Sequence, residues 1–234
     1  MMVKNQLITW GNFLFRYRSY IPIPVLFIGL YIYYVSLFNS IDSNFFNYSM
    51  MLSLTGLLIR IFVIGYSFER TSGRNTKTQV ASKLNTNGIY SVIRHPLYLG
   101  NFIIWLGISF LTLNTIFILL SILFYLIIYG IIIFVEEEFL RNKFKKEHEE
   151  YSKNIPLIFP NFSRWKPPVE SFNLKKVVMN EKNGLLGITS VFYLFNCIDF
   201  YKTTGYYYEK NWIFYLSLFS VLFYLSVKIF QKLK

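Results

Sequence analysis

The residue types best suited to chemistry in this 234-residue chain lie in two short charged segments, each beside a long apolar run. Arg94 and His95 directly precede one run, and Tyr98 follows at its start. Three consecutive glutamates, residues 136–138, follow the next run. Arginine and histidine can bind an anionic group, and carboxylates can hold a cationic one. Because charges are costly beside hydrocarbon, the two segments either pair with each other as a structural clasp or bind a ligand.

The rest of the chain is apolar enough for a membrane protein. Hydrophobic residues make up 54% of the sequence and aromatic residues 21%, and the mean hydropathy is +0.39. A membrane helix needs about 20 apolar residues. Six runs come near that length, namely residues 21–38, 50–68, 97–113, 116–135, 187–200 and 212–230, of which 187–200 is the shortest. The sequence therefore predicts an all-α, polytopic integral membrane protein with about six transmembrane helices.

The positive charges are concentrated in alternate connections. Three Lys and Arg precede the first run, five lie in residues 70–94 and ten in residues 141–182, whereas residues 39–49 carry none. This alternation is the orientation signal of a multi-pass protein, so we expect both termini in the cytoplasm, in a bacterial inner membrane. It also accounts for the net charge of +12 without a nucleic-acid partner, and the lipid bilayer is the expected surrounding.

The cysteine and histidine content is low. Cys197 is the only cysteine and there are two histidines, so we expect neither an intrachain disulfide nor a metal site rich in these residues. The sequence gives no indication of oligomeric state.

The two charged segments are predicted to meet. Only "TLNT" separates runs 97–113 and 116–135, which indicates an antiparallel hairpin. Its two open ends then lie at one membrane face, with Arg94, His95 and Tyr98 opposite the glutamates. Apolar residues at positions 140, 144 and 151 indicate an amphipathic helix beyond the second arm.

The two motifs and their order resemble the isoprenylcysteine carboxyl methyltransferase and phospholipid methyltransferase superfamily. That family carries R-H-P-x-Y-x-G, then E-E-x-x-L-x-x-x-F and a final Y-x-x-x-[VI]-P. The matching residues are Arg94, His95, Pro96, Tyr98, Gly100, Glu136, Glu137, Leu140, Phe144, Tyr151, Ile155 and Pro156. Lys145, His148 and Leu157 stand where the family often has Gly, Tyr and Arg. The resemblance suggests an N-terminal segment and first span at 1–49, a methyltransferase core at 50–160 and a two-span extension at 161–234.

The resemblance implies S-adenosylmethionine as cofactor, bound at the cytoplasmic face of the hairpin. It implies a lipid or lipidated acceptor, which we expect to be methylated on oxygen of an anionic group, either an isoprenylcysteine-type carboxylate or a lipid phosphate. The expected catalytic residues are Arg94, His95 and Glu137. The expected cofactor-binding residues are His95, Tyr98, Gly100, Glu136 and Glu137. The expected acceptor-binding residues are Arg60, Arg74 and Lys77.

The sequence leaves open other functions for the protein and other roles for some of its residues. Sterol-reductase-like enzymes share a similar R-H-x-x-Y-x-G motif and use NADPH, although the E-E element favours the methyltransferase. A transporter or assembly factor would leave the paired motifs unexplained. Arg60, in the middle of an apolar run, either binds a ligand, snorkels or pairs with Asp199. His148 and Glu138 are expected to be solvated.

Overall fold

The computed structural model describes residues 2–37, 40–68, 79 and 81–233, and within this part it is built from α-helices. The helices are α1 (Met2–Tyr17), α2 (Pro22–Val35), α3 (Ser43–Tyr66), α4 (Pro96–Phe110), α5 (Thr115–Phe144), α6 (Lys146–Asn154), α7 (Leu174–Thr204) and α8 (Trp212–Lys232). Short 3-10 turns lie at Ile89–Ser91 and Phe162–Arg164. The described part contains one isolated β-bridge, between Gly88 and Lys166, and no strand. The all-α fold is confirmed.

Helices α3, α5, α7 and α8 are each long and apolar enough to cross a bilayer. Residues 6–17 of α1 form with α2 a pair bent by 65°, which would add a fifth span if the pair crosses as one unit. Helix α4, at 15 residues, is apolar but shorter than a typical span. The polytopic architecture is therefore confirmed, with four or five candidate spans by length in the described part against the six expected.

The length of the helix that contains the fifth apolar run was underestimated. Residues 187–200 are the middle of the 31-residue helix α7, which begins thirteen residues earlier. The early turns of α7 contain charged residues that lower the local hydropathy, and two of them, Lys176 and Glu181, make hydrogen bonds inside the protein. Lys176 Nζ donates to Ser67 O at 2.7 Å, and Glu181 accepts from Arg60.

Local sequence signals explain where the central helices begin. Asp42 caps α3 by accepting from the backbone N–H groups of Asn44 and Phe45, and Asn114 caps α5 by accepting from Phe117. Pro96 occupies the first turn of α4, where a missing N–H costs no hydrogen bond. Residues 111–114 join α4 to α5, so the expected hairpin is present.

Small residues bring α3 and α4 into close contact. A Cβ atom added at Gly56 would lie 2.5 Å from Gly100 O, and one added at Gly107 would lie 2.3 Å from Ser53 Oγ. Ser53 Oγ also donates to Ile104 O at 2.9 Å. This contact fixes α4, whose first turn carries half of the candidate site.

The chain that follows α6 returns over the entrance to α4. Arg94 N donates to Pro156 O at 3.0 Å, and Asn161 N donates to Val92 O at 2.9 Å. Lys166 N donates to the buried Ser91 Oγ at 2.8 Å. These bonds hold the backbone of Arg94 and His95 at the open end of the hairpin.

Candidate functional site at the open end of the α4–α5 hairpin

The carboxylate of Glu137 lies at the centre of the candidate site. His95 Nε2 lies 2.7 Å from Glu137 Oε1, and Arg94 Nη1 donates to Oε2 of the same carboxylate. The side chains of these three residues are 5–15% exposed, so the charges are shielded from solvent. Hydrogen bonds between charged groups in such surroundings are strong and fix the orientation of each partner.

Glu136 faces a different set of partners because it is one residue earlier on α5. Its Oε2 accepts from the Tyr98 hydroxyl at 2.7 Å and lies 3.8 Å from His95 Nδ1. With a side-chain exposure of 29%, this carboxylate remains accessible to a further donor. The ring of Tyr98 is stacked on that of His95, with centroids 5.7 Å apart.

An aromatic series leads from Tyr98 into the hairpin. Tyr98 contacts Tyr129 edge to face at 5.3 Å, and Tyr129 is stacked on Tyr125 at 4.0 Å. Tyr125 closes the group by donating from its hydroxyl to Tyr98 O at 2.7 Å. Tyr125 and Tyr129 also line an apolar crevice between α2, α4 and α5, together with Trp105, Phe117 and Phe124.

The structure thus brings Arg94, His95, Tyr98, Glu136 and Glu137 together, as the hairpin topology predicted. The roles assigned to them stay predictions. Glu138 points elsewhere. Its side chain is 18% exposed, and Oε2 lies 3.6 Å from Arg141 Nη1.

The expectation for His148 was wrong. Its side chain is 1% exposed, and neither ring nitrogen makes a hydrogen bond to the described residues. Nε2 lies 3.5 Å from Glu137 Oε2, so this histidine is a further member of the site. Burial holds the pKa of His148 below its usual range; the Glu137 carboxylate opposes this shift, whereas the positive charge of Arg94 adds to it.

The signal for His148 was hidden by its neighbours. Residues 145–150 read "KKEHEE", a pattern typical of a solvated helix face. The backbone at Lys145 adopts φ 47° and ψ −114°, which ends α5 and starts α6 in a new direction. This turn carries His148 back against the end of α5.

Two tyrosines secure α6 on the site. The Tyr151 hydroxyl donates to Tyr90 O at 2.8 Å. Burial, more than any neighbouring charge, raises the pKa of both Tyr90 and Tyr151 well above that of a solvated phenol. The two groups therefore stay neutral and serve to attach α6 to the turn that precedes Arg94.

Arg60 pairs with residues that the sequence did not indicate. Its Nε and Nη2 donate to the two oxygens of Glu181 at 2.9 and 2.6 Å, and Nη1 donates to Asn101 Oδ1 at 2.6 Å. The expected partner, Asp199, instead accepts from the Tyr33 hydroxyl and from Ile41 N. The suggested pairing of Arg60 with Asp199 was therefore wrong. A role for Arg60 in binding the acceptor stays a prediction.

The remaining predicted site residues are placed as follows. A Cβ atom at Gly100 would lie 2.7 Å from Arg60 Cγ and 2.9 Å from Gly56 O, so this glycine is needed for helix packing whatever else it does. Arg74 and Lys77 lie outside the described residues. Among the residues that are described, no group of three or more His, Cys, Asp and Glu could hold a metal ion.

A known protein family matches the segment of the chain that contains most of the site residues. Residues 47–147 match the family described as phospholipid methyltransferase. This segment, which is less than half of the chain, is similar in sequence to the isoprenylcysteine and phospholipid methyltransferases. It contains α4, most of α3 and all of α5, and hence every member of the site except His148.

Three curated relatives are similar to part of the chain. The protein-S-isoprenylcysteine O-methyltransferase of Schizosaccharomyces pombe is 36% identical over 95 residues, covering 38% of this chain and 40% of the relative. The cobalt-zinc-cadmium resistance protein CzcN of Cupriavidus metallidurans is 34% identical over 95 residues, 41% of each chain. The nickel-cobalt-cadmium resistance protein NccN of Alcaligenes xylosoxydans is 31% identical over 83 residues, 36% of this chain and 38% of the relative.

These matches span about two fifths of the length of each relative. No solved structure shows significant similarity.

Proposed function

We propose that the protein is an integral membrane methyltransferase that uses S-adenosylmethionine to methylate a lipid or lipidated acceptor. One observation carries the proposal. A single, largely shielded carboxylate, that of Glu137, joins Arg94 and His95 from one motif to α5 of the other, within the segment that matches the methyltransferase family. A structural clasp would need only one arginine and one glutamate, whereas this site adds a second carboxylate, two histidines and a tyrosine.

The residues fit the cofactor. S-adenosylmethionine carries an ammonium, a carboxylate and a sulfonium cation. Glu136 is partly exposed and can accept from the ammonium or from ribose hydroxyls. The Nε atom of Arg94 is buried and makes no hydrogen bond to the described residues, so it is a donor available to a carboxylate. The rings of Tyr98 and Tyr129, which contact each other edge to face, offer aromatic surface to a cation.

The chain's own contribution is orientation and exclusion of water. When bound, the cofactor supplies a methyl group already activated by the sulfonium. Glu137 fixes the positions of Arg94 and His95, and Glu136 fixes that of Tyr98. Holding the donor and the acceptor in line within a shielded site is the main source of acceleration for such a transfer.

The apolar crevice between α2, α4 and α5 suits the tail of a membrane acceptor. Its lining is almost entirely apolar, and Tyr125 and Tyr129 join it to the aromatic series that begins at Tyr98. A lipid or prenyl chain lying there would bring its head group towards Glu136 and His95. Burying such a chain contributes about 0.8 kcal/mol for each methylene group.

The head group is proposed to be anionic and methylated on oxygen. Residues 70–83 carry Arg70, Arg74, Lys77 and Lys83, and Glu69 is the only acid beside them. A segment of this composition suits a carboxylate or a phosphate. The relative from Schizosaccharomyces pombe is named as an O-methyltransferase of isoprenylcysteine, which supports oxygen as the acceptor atom.

The proposal is tested by supplying tritiated S-adenosylmethionine to membranes that contain the protein. We expect label in a lipid or lipidated fraction. We also expect Arg74→Ala and Lys77→Ala to lower the incorporation, whereas Lys146→Ala, an exposed lysine on α6, leaves it unchanged. Label in an amine or neutral lipid, with both loop variants as active as the wild type, would rule out the anionic acceptor. No label above that of membranes without the protein would rule out the methyltransferase.

A further inference from the structure

Arg18 lies in the break between α1 and α2, which are bent by 65° relative to each other. Helix α1 contacts α5 at Val135, and a Cβ atom added at Gly11 would lie 2.1 Å from Val135 Cγ2. Helix α2 contacts the other end of α5, since a Cβ atom added at Gly29 would lie 3.0 Å from Phe117 Cζ. Arg18 therefore lies beside the apolar middle of α5. A charge at such a depth is costly, and in membrane proteins it commonly marks a binding site.

The half-buried Arg18 side chain folds back towards the aromatic series. Its Cζ lies 4.0 Å from the centroid of the Phe15 ring, and Nη1 donates to Phe15 O at 2.7 Å. Phe15 is buried in a cluster with Tyr125 and Tyr129, and Tyr98 packs against that cluster. The positive charge of Arg18 acts on the hydroxyl groups of both Tyr98 and Tyr129. Arg18 is thus a cation at the inner end of the candidate site.

Arg18 also lies at one end of the apolar crevice between α2, α4 and α5. Ile21 and Pro22, which follow it at the start of α2, line the crevice, and so does Tyr129. The lining extends along α5 from Tyr129 to Phe117, a rise of about 18 Å. The chains of one leaflet span half of a hydrocarbon core about 30 Å thick, so this length suits a single lipid chain. A chain with its far end at Phe117 has its head group beside Arg18.

A negative head group needs a cation at this position. Glu136 accepts from the Tyr98 hydroxyl at 2.7 Å, and its carboxylate repels an anion that approaches Tyr98 from the crevice. Arg18 offsets this repulsion. Its guanidinium has five N–H donors, so it can hold Phe15 O and an anionic oxygen at the same time. Hydrogen bonds from arginine to carboxylate or phosphate oxygens are among the strongest in proteins.

We propose that Arg18 binds the anionic head group of a membrane lipid whose chain lies in the crevice. The inference rests on the proposed methyltransferase function and names a residue that selects the acceptor. The head-group oxygen belongs to a carboxylate or to a phosphate, both of which arginine binds in the same way. Arg18 lies outside residues 47–147, so this selection depends on a part of the chain that the phospholipid methyltransferase match does not include.

Occupancy of the crevice can be followed through Trp105, which lines it. The other three tryptophans, Trp10, Trp165 and Trp212, are more than half exposed and are replaced by phenylalanine. The purified full-length protein in detergent micelles is titrated with lipids whose chains carry bromine atoms, which quench the fluorescence of a nearby tryptophan. Brominated phosphatidylglycerol supplies an anionic phosphate, brominated stearate a carboxylate, and brominated phosphatidylcholine a head group without net charge.

We expect at least one of the two anionic lipids to quench Trp105 at a concentration about tenfold lower than phosphatidylcholine does. Arg18→Gln should remove this preference, whereas Arg16→Gln, which removes an exposed charge on the same helix, should keep it. The anionic lipid that is preferred identifies the head-group oxygen as that of a phosphate or a carboxylate. Equal quenching by all three lipids in the protein that retains Arg18, or a preference that survives Arg18→Gln, would overturn the proposal.

A conservative variant separates the charge of Arg18 from its contact with Phe15. Arg18→Lys keeps the charge and loses the planar guanidinium that lies over the Phe15 ring, and it should retain most of the preference for anionic lipid. If Arg18→Lys and Arg18→Gln lose the preference equally, the arginine acts through its packing on Phe15, and the proposal is wrong.

Cofactor binding distinguishes failure of this proposal from failure of the proposed function. Arg18→Gln should bind labelled S-adenosylmethionine with wild-type affinity, because the arginine contacts the acceptor. Cofactor binding weakened at least tenfold, with the lipid preference unchanged, would assign Arg18 to the cofactor and overturn the proposal. A wild type that prefers anionic lipid but binds no S-adenosylmethionine would reject the methyltransferase function and leave the lipid site in place.

Discussion

Arg60 and Glu181 form a two-bond ion pair that joins α3, in the segment matching the methyltransferase family, to α7, which lies outside that segment. Nη1 of Arg60 also donates to Asn101 Oδ1, one turn after Tyr98 on α4. Helix α7 is thereby attached to the helix that carries the site. Glu181 is 5% exposed and Arg60 is 21% exposed, so solvent screens the pair only in part.

Removing either partner of this pair should destabilise the protein. Glu181→Gln leaves the arginine without its counter-ion, and Arg60→Met leaves a buried carboxylate. Loss of one partner of a buried pair costs roughly 3–5 kcal/mol, and the partial exposure of Arg60 favours the lower end. The double variant Arg60→Met with Glu181→Leu should recover much of the loss. Thermal unfolding in detergent measures the effect, with the exposed Glu147→Gln as the control; single variants that unfold at the wild-type temperature would show that the pair adds no stability.

Lys145→Gly should stabilise the protein. Lys145 has a positive φ of 47° with ψ −114°, a conformation that glycine adopts without strain. Relief of this strain is expected to contribute about 1 kcal/mol. Lys143→Gly, two residues earlier within α5, is the matched control and should destabilise by about 1 kcal/mol, as glycine does inside a helix. If the unfolding temperatures of both variants shift in the same direction, the backbone at Lys145 is not strained.

His148 should make the protein less stable in mild acid. Its folded-state pKa lies below that of the unfolded chain, near 6.5. The unfolded state therefore binds more protons as pH falls, so the stability present above pH 6.5 is lost as pH drops through the folded-state pKa. His148→Gln should unfold at more nearly equal temperatures at pH 7.5 and pH 5 than the wild type. Ser152→Ala, an uncharged change on α6, serves as control, and an unaltered pH dependence in His148→Gln would contradict the buried neutral imidazole.

The orientation of the helices can be read from thiol labelling. We expect Ser82 and Lys166 to face the cytoplasm with the site, and Asn44, at the opposite end of the 24-residue helix α3, to face away. All three side chains are exposed. Single cysteines at these positions, in a Cys197→Ser background, are treated with an impermeant reagent on intact cells and after permeabilisation. Intact cells labelled at position 82 but not at position 44 would mean that the orientation is inverted.

The central contact of the site was predictable because it depends on local patterns alone. Two apolar runs joined by four residues can only form a hairpin, and a hairpin returns Glu136 and Glu137 to the end at which Arg94 and His95 begin. Pro96 and the N-cap residue Asn114 then determine where α4 and α5 begin. No tertiary information was needed beyond the antiparallel arrangement of the two helices.

The contacts that were missed depend on distant parts of the chain. Glu181 lies 121 residues from Arg60, in a stretch whose lysines and asparagines indicated a loop, so nothing local marked it as an intramembrane partner. His148 is surrounded by lysines and glutamates, and only the turn at Lys145 directs it inward. Both are polar residues whose burial is set by packing between elements, which a hydropathy pattern does not encode.

The most direct test of the account is equilibrium binding of labelled S-adenosylmethionine to the purified protein. The wild type and Glu138→Gln should bind it with similar affinity, and NADPH should not displace it. Glu137→Gln should bind at least tenfold more weakly, because the loss of that carboxylate releases both Arg94 and His95. A wild type that binds NADPH and not S-adenosylmethionine, or a Glu137→Gln variant with wild-type affinity, would contradict the account.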